Sequence, residues 1–343
     1  MSDTSTTEVS PADTYTGLVA APARRRRLSV GWFGTRFAVI GVWILLIVLF
    51  GILRPQTFLT PGAWHSIFGG PNNTALIFLT AALLCTIIVG EFVDMSVANN
   101  FGFAAIIVTV VNTDLHINGW VAALIAVAAS TAVGLVNGWL VVRVGVNTIV
   151  VTLGMGTFIF GLSLWFANLQ PVSGLAKYLS VISSFEIAGL PMAFYLGVLL
   201  MLGFAYVMRF TPLGRNMRFV GENREVSRLA GVPVGRIRFL AFTFGGLIAG
   251  VGGVIAAAGV GGFDPNVSNA YLLPMFAATF LGTAILEPGR FNPLGTLIAV
   301  FFLGTGVLGL QLLGATSWVT NVFYGGVLVV AVTITTILHR RSR

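Results

Sequence analysis

Between Thr74 and Val111 the chain reads TALIFLTAALLCTIIVG, then EFVDMSVANN, then FGFAAIIVTVV: an apolar run, a polar segment with two carboxylates, and a second apolar run. The runs Thr74 to Val89 and Val97 to Val111 are apolar enough to enter a bilayer. Between them, Gly90-Glu91-Phe92-Val93-Asp94-Met95-Ser96-Val97-Ala98-Asn99-Asn100 puts Glu91, Asp94, Ser96, Asn99 and Asn100 at or beside the hydrocarbon. Charge held inside a bilayer is costly and generally marks a pathway. The same residues also suit a cytoplasmic turn in which Asp94 or Ser96 caps the next helix. The sequence supports both readings.

Outward from this segment the apolar pattern repeats along the chain. Of 343 residues 56% are hydrophobic and only 9% charged, far below the roughly 25% charge of soluble domains. A water-soluble fold is excluded on that ground. Runs long enough to span are Phe37 to Leu53, Thr74 to Val89, Val97 to Val111, Gly119 to Val142, Thr148 to Leu169, Leu190 to Met208, Phe239 to Val260, Leu272 to Leu286, Pro293 to Leu313 and Ser317 to Leu338. They predict an all-α integral membrane bundle of about ten transmembrane helices. The membrane domain covers 29–339, between a polar, disordered tail at 1–28 that ends in Arg24 to Arg27 and a basic C-terminus at 340–343. The arginine cluster superficially resembles an export signal, but no Ala-x-Ala-like cleavage site follows, so a cytoplasmic anchor is expected.

The net charge of +8 belongs to orientation rather than to nucleic acid, because the basic residues flank apolar runs. If the chain starts inside, all 19 Lys and Arg fall on the cytoplasmic side except Arg54 and Lys177. Both termini are then cytoplasmic, and the segment 209–238 is a large cytoplasmic loop.

Several chemistries are absent from the sequence. Cys85 is the only cysteine, which excludes an intrachain disulfide. No Gly-x-x-x-x-Gly-Lys-Ser/Thr loop exists to hold ATP phosphates. Gly304, Gly306 and Gly309 match a dinucleotide pattern but lie in an apolar span with no preceding strand, so close helix packing is expected there. Gly245, Ala249, Gly253 and Ala257 read the same way. His65, His116 and His339 have no metal-ligand spacing, and no metal site is expected.

With those residues quoted, a resemblance becomes specific. Gly90 and Asp94-Met95-Ser96-Val97 are similar to the Gly-Gly-Ile-Asp-Leu-Ser-Val-Gly-Ser signature of the ribose, xylose and arabinose type ABC importer permeases. Glu91-Phe92 stands where that family has two glycines, and Ala98-Asn99 replaces Gly-Ser. Val136-Asn137-Gly138, Ile149-Val150-Val151-Thr152-Leu153-Gly154 and Thr211-Pro212-Leu213-Gly214-Arg215 resemble further family stretches in the same order. Glu222-Asn223-Arg224-Glu225-Val226-Ser227-Arg228-Leu229-Ala230-Gly231 resembles the coupling segment of such permeases. The resemblance implies an importer subunit for a sugar or related polyhydroxylated solute, working by alternating access and catalysing no bond change. It implies three partners: a cytoplasmic ATPase subunit that uses ATP and magnesium, an extracytoplasmic solute-binding protein, and a second permease subunit in a bacterial-type cytoplasmic membrane. Glu91, Asp94, Ser96, Asn99, Asn100, Asn137, Thr152 and Asp264 become candidates for the path. Glu222, Glu225, Val226, Arg228, Leu229 and Gly231 become candidates for the ATPase contact, with Val226 and Leu229 on one face of a short helix.

The two shortest spans, Val97 to Val111 and Leu272 to Leu286, each follow an acid-containing turn, at Asp94 and Asp264. They occupy equivalent places if spans 2–5 and 7–10 form an inverted pseudo-repeat, an arrangement that places a path between the halves. Two alternatives remain. A branched-chain amino acid type ABC permease would need a path for a carboxylate, which Glu91 and Asp94 disfavour. An ion-coupled secondary transporter would use Glu91 and Asp94 as its ion site.

The arginine distribution predicts that, in a Cys85→Ala background, Val234→Cys and Arg341→Cys are shielded in intact cells from an impermeant thiol reagent, whereas Ser180→Cys is labelled. Labelling at Val234→Cys with protection at Ser180→Cys would invert the topology.

Overall fold

The computed structural model describes residues 30–91 and 93–342; the N-terminal tail with Arg24 to Arg27, together with Phe92 and Arg343, lies outside the described residues. The chain opens with α1 (Val30–Leu53), two short helices, α2 (Pro55–Phe58) and α3 (Pro61–Gly69), and then α4 (Pro71–Ile87) and α5 (Val97–Thr113). Next come α6 (Gly119–Trp139), extended by a π-helical turn over Leu140–Val144, and α7 (Thr148–Phe166). Strand β1 (Val172–Ser173), α8 (Lys177–Ser184) and the hairpin of β2 (Glu186–Ile187) and β3 (Leu190–Pro191) lead into α9 (Met192–Phe210). Two helices, α10 (Pro212–Glu222) and α11 (Arg224–Leu229), precede α12 (Val234–Val260). Strand β4 (Gly262–Phe263) pairs antiparallel with β1, and α13 (Val267–Ala270), α14 (Leu272–Gly282), α15 (Pro293–Leu312) and α16 (Ser317–Ser342) follow.

Among the described residues, six helical stretches are long and apolar enough to cross a membrane: Pro61–Ile87, Gly119–Val144, Thr148–Phe166, Met192–Phe210, Val234–Val260 and Pro293–Leu312. Phe37–Leu53, Val97–Thr113, Val267–Gly282 and Ser317–Thr333 are shorter apolar helices. The architecture is therefore a helical membrane bundle, and a helix occupies each of the apolar runs read from the sequence. Several boundaries shift by a few residues. The run Leu272 to Leu286 stops being helical at Gly282, where the chain turns. In the segment 209–238, α9 runs to Phe210, α12 begins at Val234, and α10 precedes the expected short helix, α11.

The bundle is organised around α4, in which every residue from Asn73 to Ile87 is buried. A helix apolar on all sides belongs at such a centre, and α5, α9, α12, α14 and α15 surround it. Helix α12 joins this centre to the flank through small residues. A Cβ at Gly246 would lie 2.7 Å from the Ser130 carbonyl oxygen in α6, and one at Gly253 only 2.2 Å from the Phe101 carbonyl in α5. The Ser130 hydroxyl donates to the Gly246 carbonyl across the same contact at 2.7 Å. The expected stripe of Gly245, Ala249, Gly253 and Ala257 is buried along α12. On α15, Gly304 meets Asn73, Gly306 meets Phe323 and Gly309 meets Phe50, which makes the dinucleotide-like pattern a packing surface.

One end of the bundle gathers the α4–α5 connection, α10, α11, the starts of α7 and α12, and the turn before α15. We call it the arginine-rich end. At the opposite end α3 and the β2–β3 hairpin bring His65 within 3.5 Å of Glu186, a pairing not apparent in the sequence. Among the described residues no cluster of three metal-ligating side chains forms.

Replacing an open helical glycine by alanine raises helix propensity by about 1 kcal/mol. Gly203→Ala in α9, where nothing lies within 4 Å, is expected to leave the melting temperature in detergent unchanged or raised. Gly246→Ala and Gly253→Ala are expected to lower it, because the added carbon meets backbone. Equal behaviour of all three would exclude close packing as the role of the α12 glycines.

Candidate functional site

The polar segment between α4 and α5 folds as a break between two helices rather than as a solvated turn. Helix α4 ends at Ile87, and the chain reverses at Gly90, whose φ of 73° suits glycine. Gly221 at the end of α10 sits against this point so closely that a Cβ on it would be 2.1 Å from the Ile88 carbonyl oxygen. Glu91, which follows, has a side chain only 1% exposed. Its Oε1 accepts from Arg224 Nη2 at 3.2 Å and from Arg238 Nε, and its Oε2 accepts from the Thr148 hydroxyl at 2.7 Å. Arg224 also donates to the Gly90 carbonyl. One carboxylate thereby ties the break to the first residue of α11, the first turns of α12 and the start of α7. Stripping a partner from such a buried pair costs about 3–5 kcal/mol, because a charge is left uncompensated.

Asp94, three residues on, is 4% exposed and forms no ion pair among the described residues. Its Oδ1 accepts from the Ser96 backbone N–H at 2.9 Å and from the Ser96 hydroxyl at 2.7 Å. Asp94, not Ser96, supplies the turn chemistry before α5, since the Ser96 side chain makes no capping bond. Asn137 of α6 donates to the Ser96 hydroxyl at 2.9 Å, and the Thr152 hydroxyl of α7 accepts from Met95 N–H at 3.1 Å. One turn along α5, Asn100 donates to the Ser130 carbonyl at 3.0 Å, and Asn99 accepts from the Ser268 hydroxyl at 3.1 Å. The amide oxygens of Asn100 and Asn137 are buried without a partner.

Seven of the eight residues read as path candidates thus converge on the start of α5. The eighth, Asp264, is partly buried in the turn before α13 and does not touch the others; it accepts from Asn266 N–H at 2.9 Å and Asn266 Nδ2 at 3.0 Å. Ser268, four residues beyond it, makes the link through Asn99. The reading missed Ser130, Thr148, Arg224, Arg238 and Ser268. A signal for Ser268 lay in the sequence: Asp94-Met95-Ser96-Val97-Ala98-Asn99 and Asp264-Pro265-Asn266-Val267-Ser268-Asn269 share Asp, Val and Asn at matching positions.

The other candidate segment is α10 with α11. Thr211 caps α10, its hydroxyl accepting from Gly214 N–H at 3.2 Å, and Asn223 caps α11 by accepting from the N–H groups of Glu225 and Val226. Helix α11 ends at Leu229 and the chain reverses at Gly231, φ 80°. Val226 is 60% exposed and Leu229 85%, while Ser227 is buried. Glu225 and Arg228 pair with each other at 2.7 Å on the surface. Glu222 is exposed and ion-paired; Arg290, from the turn before α15, donates to it at 2.8 Å, and Arg218 lies 3.4 Å from Glu287 of that turn. Exposed pairs of this kind contribute about 0–1 kcal/mol.

A membrane bundle with a buried polar break at its arginine-rich end, joined there to a short helix whose apolar side chains are bare, suits a permease component of a transport system. Over residues 66–332 the chain matches the family described as branched-chain amino acid transport system / permease component, and it belongs to that family. It is 30% identical over 317 residues to the L-arabinose ABC transporter permease protein AraH of Azospirillum brasilense, covering 91% of this chain and 90% of that protein. Identity to the ribose import permease protein RbsC of Escherichia coli (strain K12) is 26% over 314 residues, 90% of this chain and 96% of that one. The autoinducer 2 import system permease protein LsrD of Photorhabdus laumondii is 26% identical over 307 residues, 88% of this chain and 90% of that one.

Asp94→Asn keeps the oxygen that accepts from Ser96 and is expected to insert normally and transport with reduced rate. Asp94→Leu strands Ser96 and, through it, Asn137, and is expected to abolish uptake or insertion. Uptake corrected for surface expression decides the matter; full uptake by Asp94→Leu would reduce the turn to a connector.

Proposed function

We propose that the chain is the permease subunit of an ATP-binding-cassette importer and forms the membrane path for a sugar or related small polyhydroxylated solute by alternating access. The observation that carries the solute class is the composition of the seam at the start of α5. Asp94, Ser96, Asn99, Asn100 and Asn137 offer hydroxyl, amide and carboxylate groups, including two buried amide oxygens without a partner. The neighbouring arginines, Arg224 and Arg238, are engaged by Glu91. Neutral hydroxyl groups suit such acceptors, whereas a carboxylate solute would meet Asp94 with no cation to receive it. That chemistry favours the solutes in the names of the arabinose and ribose relatives over the amino acids in the family description.

In this proposal ten helices cross a bacterial-type cytoplasmic membrane with both termini inside, and the arginine-rich end is cytoplasmic. Spans 2–5 and 7–10 form an inverted pseudo-repeat. Its support is the recurrence of one turn: Asp94 and Asp264 each bond the N–H and side chain two residues on. Val226 and Leu229 on α11 dock into a cytoplasmic ATPase, which holds the ATP and magnesium. A solute-binding protein delivers from outside, and a second permease subunit completes the path.

Proteoliposomes containing permease, ATPase and binding protein are expected to take up solute only with ATP, and Val226→Asp with Leu229→Asp to abolish co-purification of the ATPase. Uptake by the permease alone, driven by a proton or sodium gradient, would favour the ion-coupled reading.

A further inference from the structure

We propose that Glu91 is a positioning residue that makes the α4–α5 break move with α11, so that a partner pressing on Val226 and Leu229 displaces the Asp94 turn. The inference rests on the reading of α11 as the ATPase contact. Arg224 is the first residue of α11 and holds both the Glu91 carboxylate and the Gly90 carbonyl. Asp94 lies three residues further along and fixes Ser96 and, through it, Asn137. Between the exposed face of α11 and the polar seam there are thus Arg224, with its bonds to Glu91 and to the Gly90 carbonyl, and the short stretch of chain from Glu91 to Asp94. Gly90 and Gly221 add a second joint beside the first, where two backbones touch with no side chain between them.

The two attachments of the α10–α11 unit differ in kind. Toward the turn before α15 it is held by Glu222 with Arg290, a pair open to water and weak, and by Arg218 with Glu287, a half-buried pair in which neither partner is desolvated as Glu91 is. Toward the break it is held by Glu91, desolvated and shared between two arginines and Thr148, which is expensive to separate. A push on the unit therefore releases the turn before α15 and carries the break with it.

The test uses the complete transporter in liposomes and measures solute imported per ATP hydrolysed, together with the melting temperature. Glu91→Gln is expected to lower that ratio about tenfold, in the range of coupling between two sites. The double variant Glu91→Gln with Arg224→Gln is expected to fall by less than the product of the two single falls, because both changes cut the Glu91–Arg224 link. Arg290→Gln, which removes the exposed Arg290–Glu222 pair and leaves α11 unchanged, is expected to stay within about twofold of the parent, as exposed pairs contribute little. A parental ratio in Glu91→Gln, or an equal fall in Arg290→Gln, overturns the proposal. Additive loss in the double variant also overturns it. If Glu91→Gln does not fold, Arg224→Gln alone, which leaves Glu91 with Arg238 and Thr148, carries the same expectation and the same refutation. Co-purification with the Val226→Asp and Leu229→Asp pair reports on the α11 contact by itself, so failure of that reading is distinguishable from failure of the link.

Discussion

Hydrocarbon supplies no hydrogen bonds, so a helix broken inside a membrane protein must find partners for its freed backbone within the protein. The break between α4 and α5 meets this requirement from several directions. Gly90 N–H and Glu91 N–H return to the carbonyls of Ile87 and Thr86, and Gly90 C=O accepts from Arg224. Met95 N–H reaches Thr152 in α7, and Ser96 N–H reaches Asp94. These partners belong to α7, α11 and the break itself, and those elements must arrive at one place for the break to be stable. The convergence of helices at the arginine-rich end follows from that need.

Glu91 and Asp94 illustrate how two acids so near each other take different parts. Glu91 is neutralised by arginines and knits helices together, while Asp94 bonds only Ser96 and stays among uncharged polar groups. On the proposed reading, transmission and solute handling are divided within three residues. The dense glycine contacts of α12 with α5 and α6 make this region a stiff unit, since backbones in contact leave little room for side chains to yield.

The helices were legible because a bilayer imposes a length and an apolar character on whatever crosses it, and both are written locally. The turn at Asp94 was legible for the same reason, as polar residues between two apolar runs. The Glu91 cluster was not, because Arg224 and Arg238 lie far along the chain and in sequence serve equally well as orientation signals. The pairing of Glu222 with Arg290 was not legible either, because it needs the turn before α15 to be folded first. In the sequence the Asp94 and Asp264 turns are paired only by an acid ahead of a short apolar run. The fuller match lies after it, where Ser96 and Asn266 offer the same donors to the preceding carboxylate.

The burial of α4 has a consequence for biosynthesis. This helix leaves the ribosome well before α9, α12, α14 and α15, the helices that will enclose it. Until they emerge, the faces of α4 that they will cover have no protein partner. Thr80, Cys85 and Thr86 bond carbonyls of their own helix, to Leu76, Ala81 and Leu83 among others, so these side chains need no later helix to be satisfied, whereas Asn72 waits for Tyr271. The burial of α4 is thus completed only when the later half of the chain is made, in keeping with the two-stage order by which membrane bundles assemble.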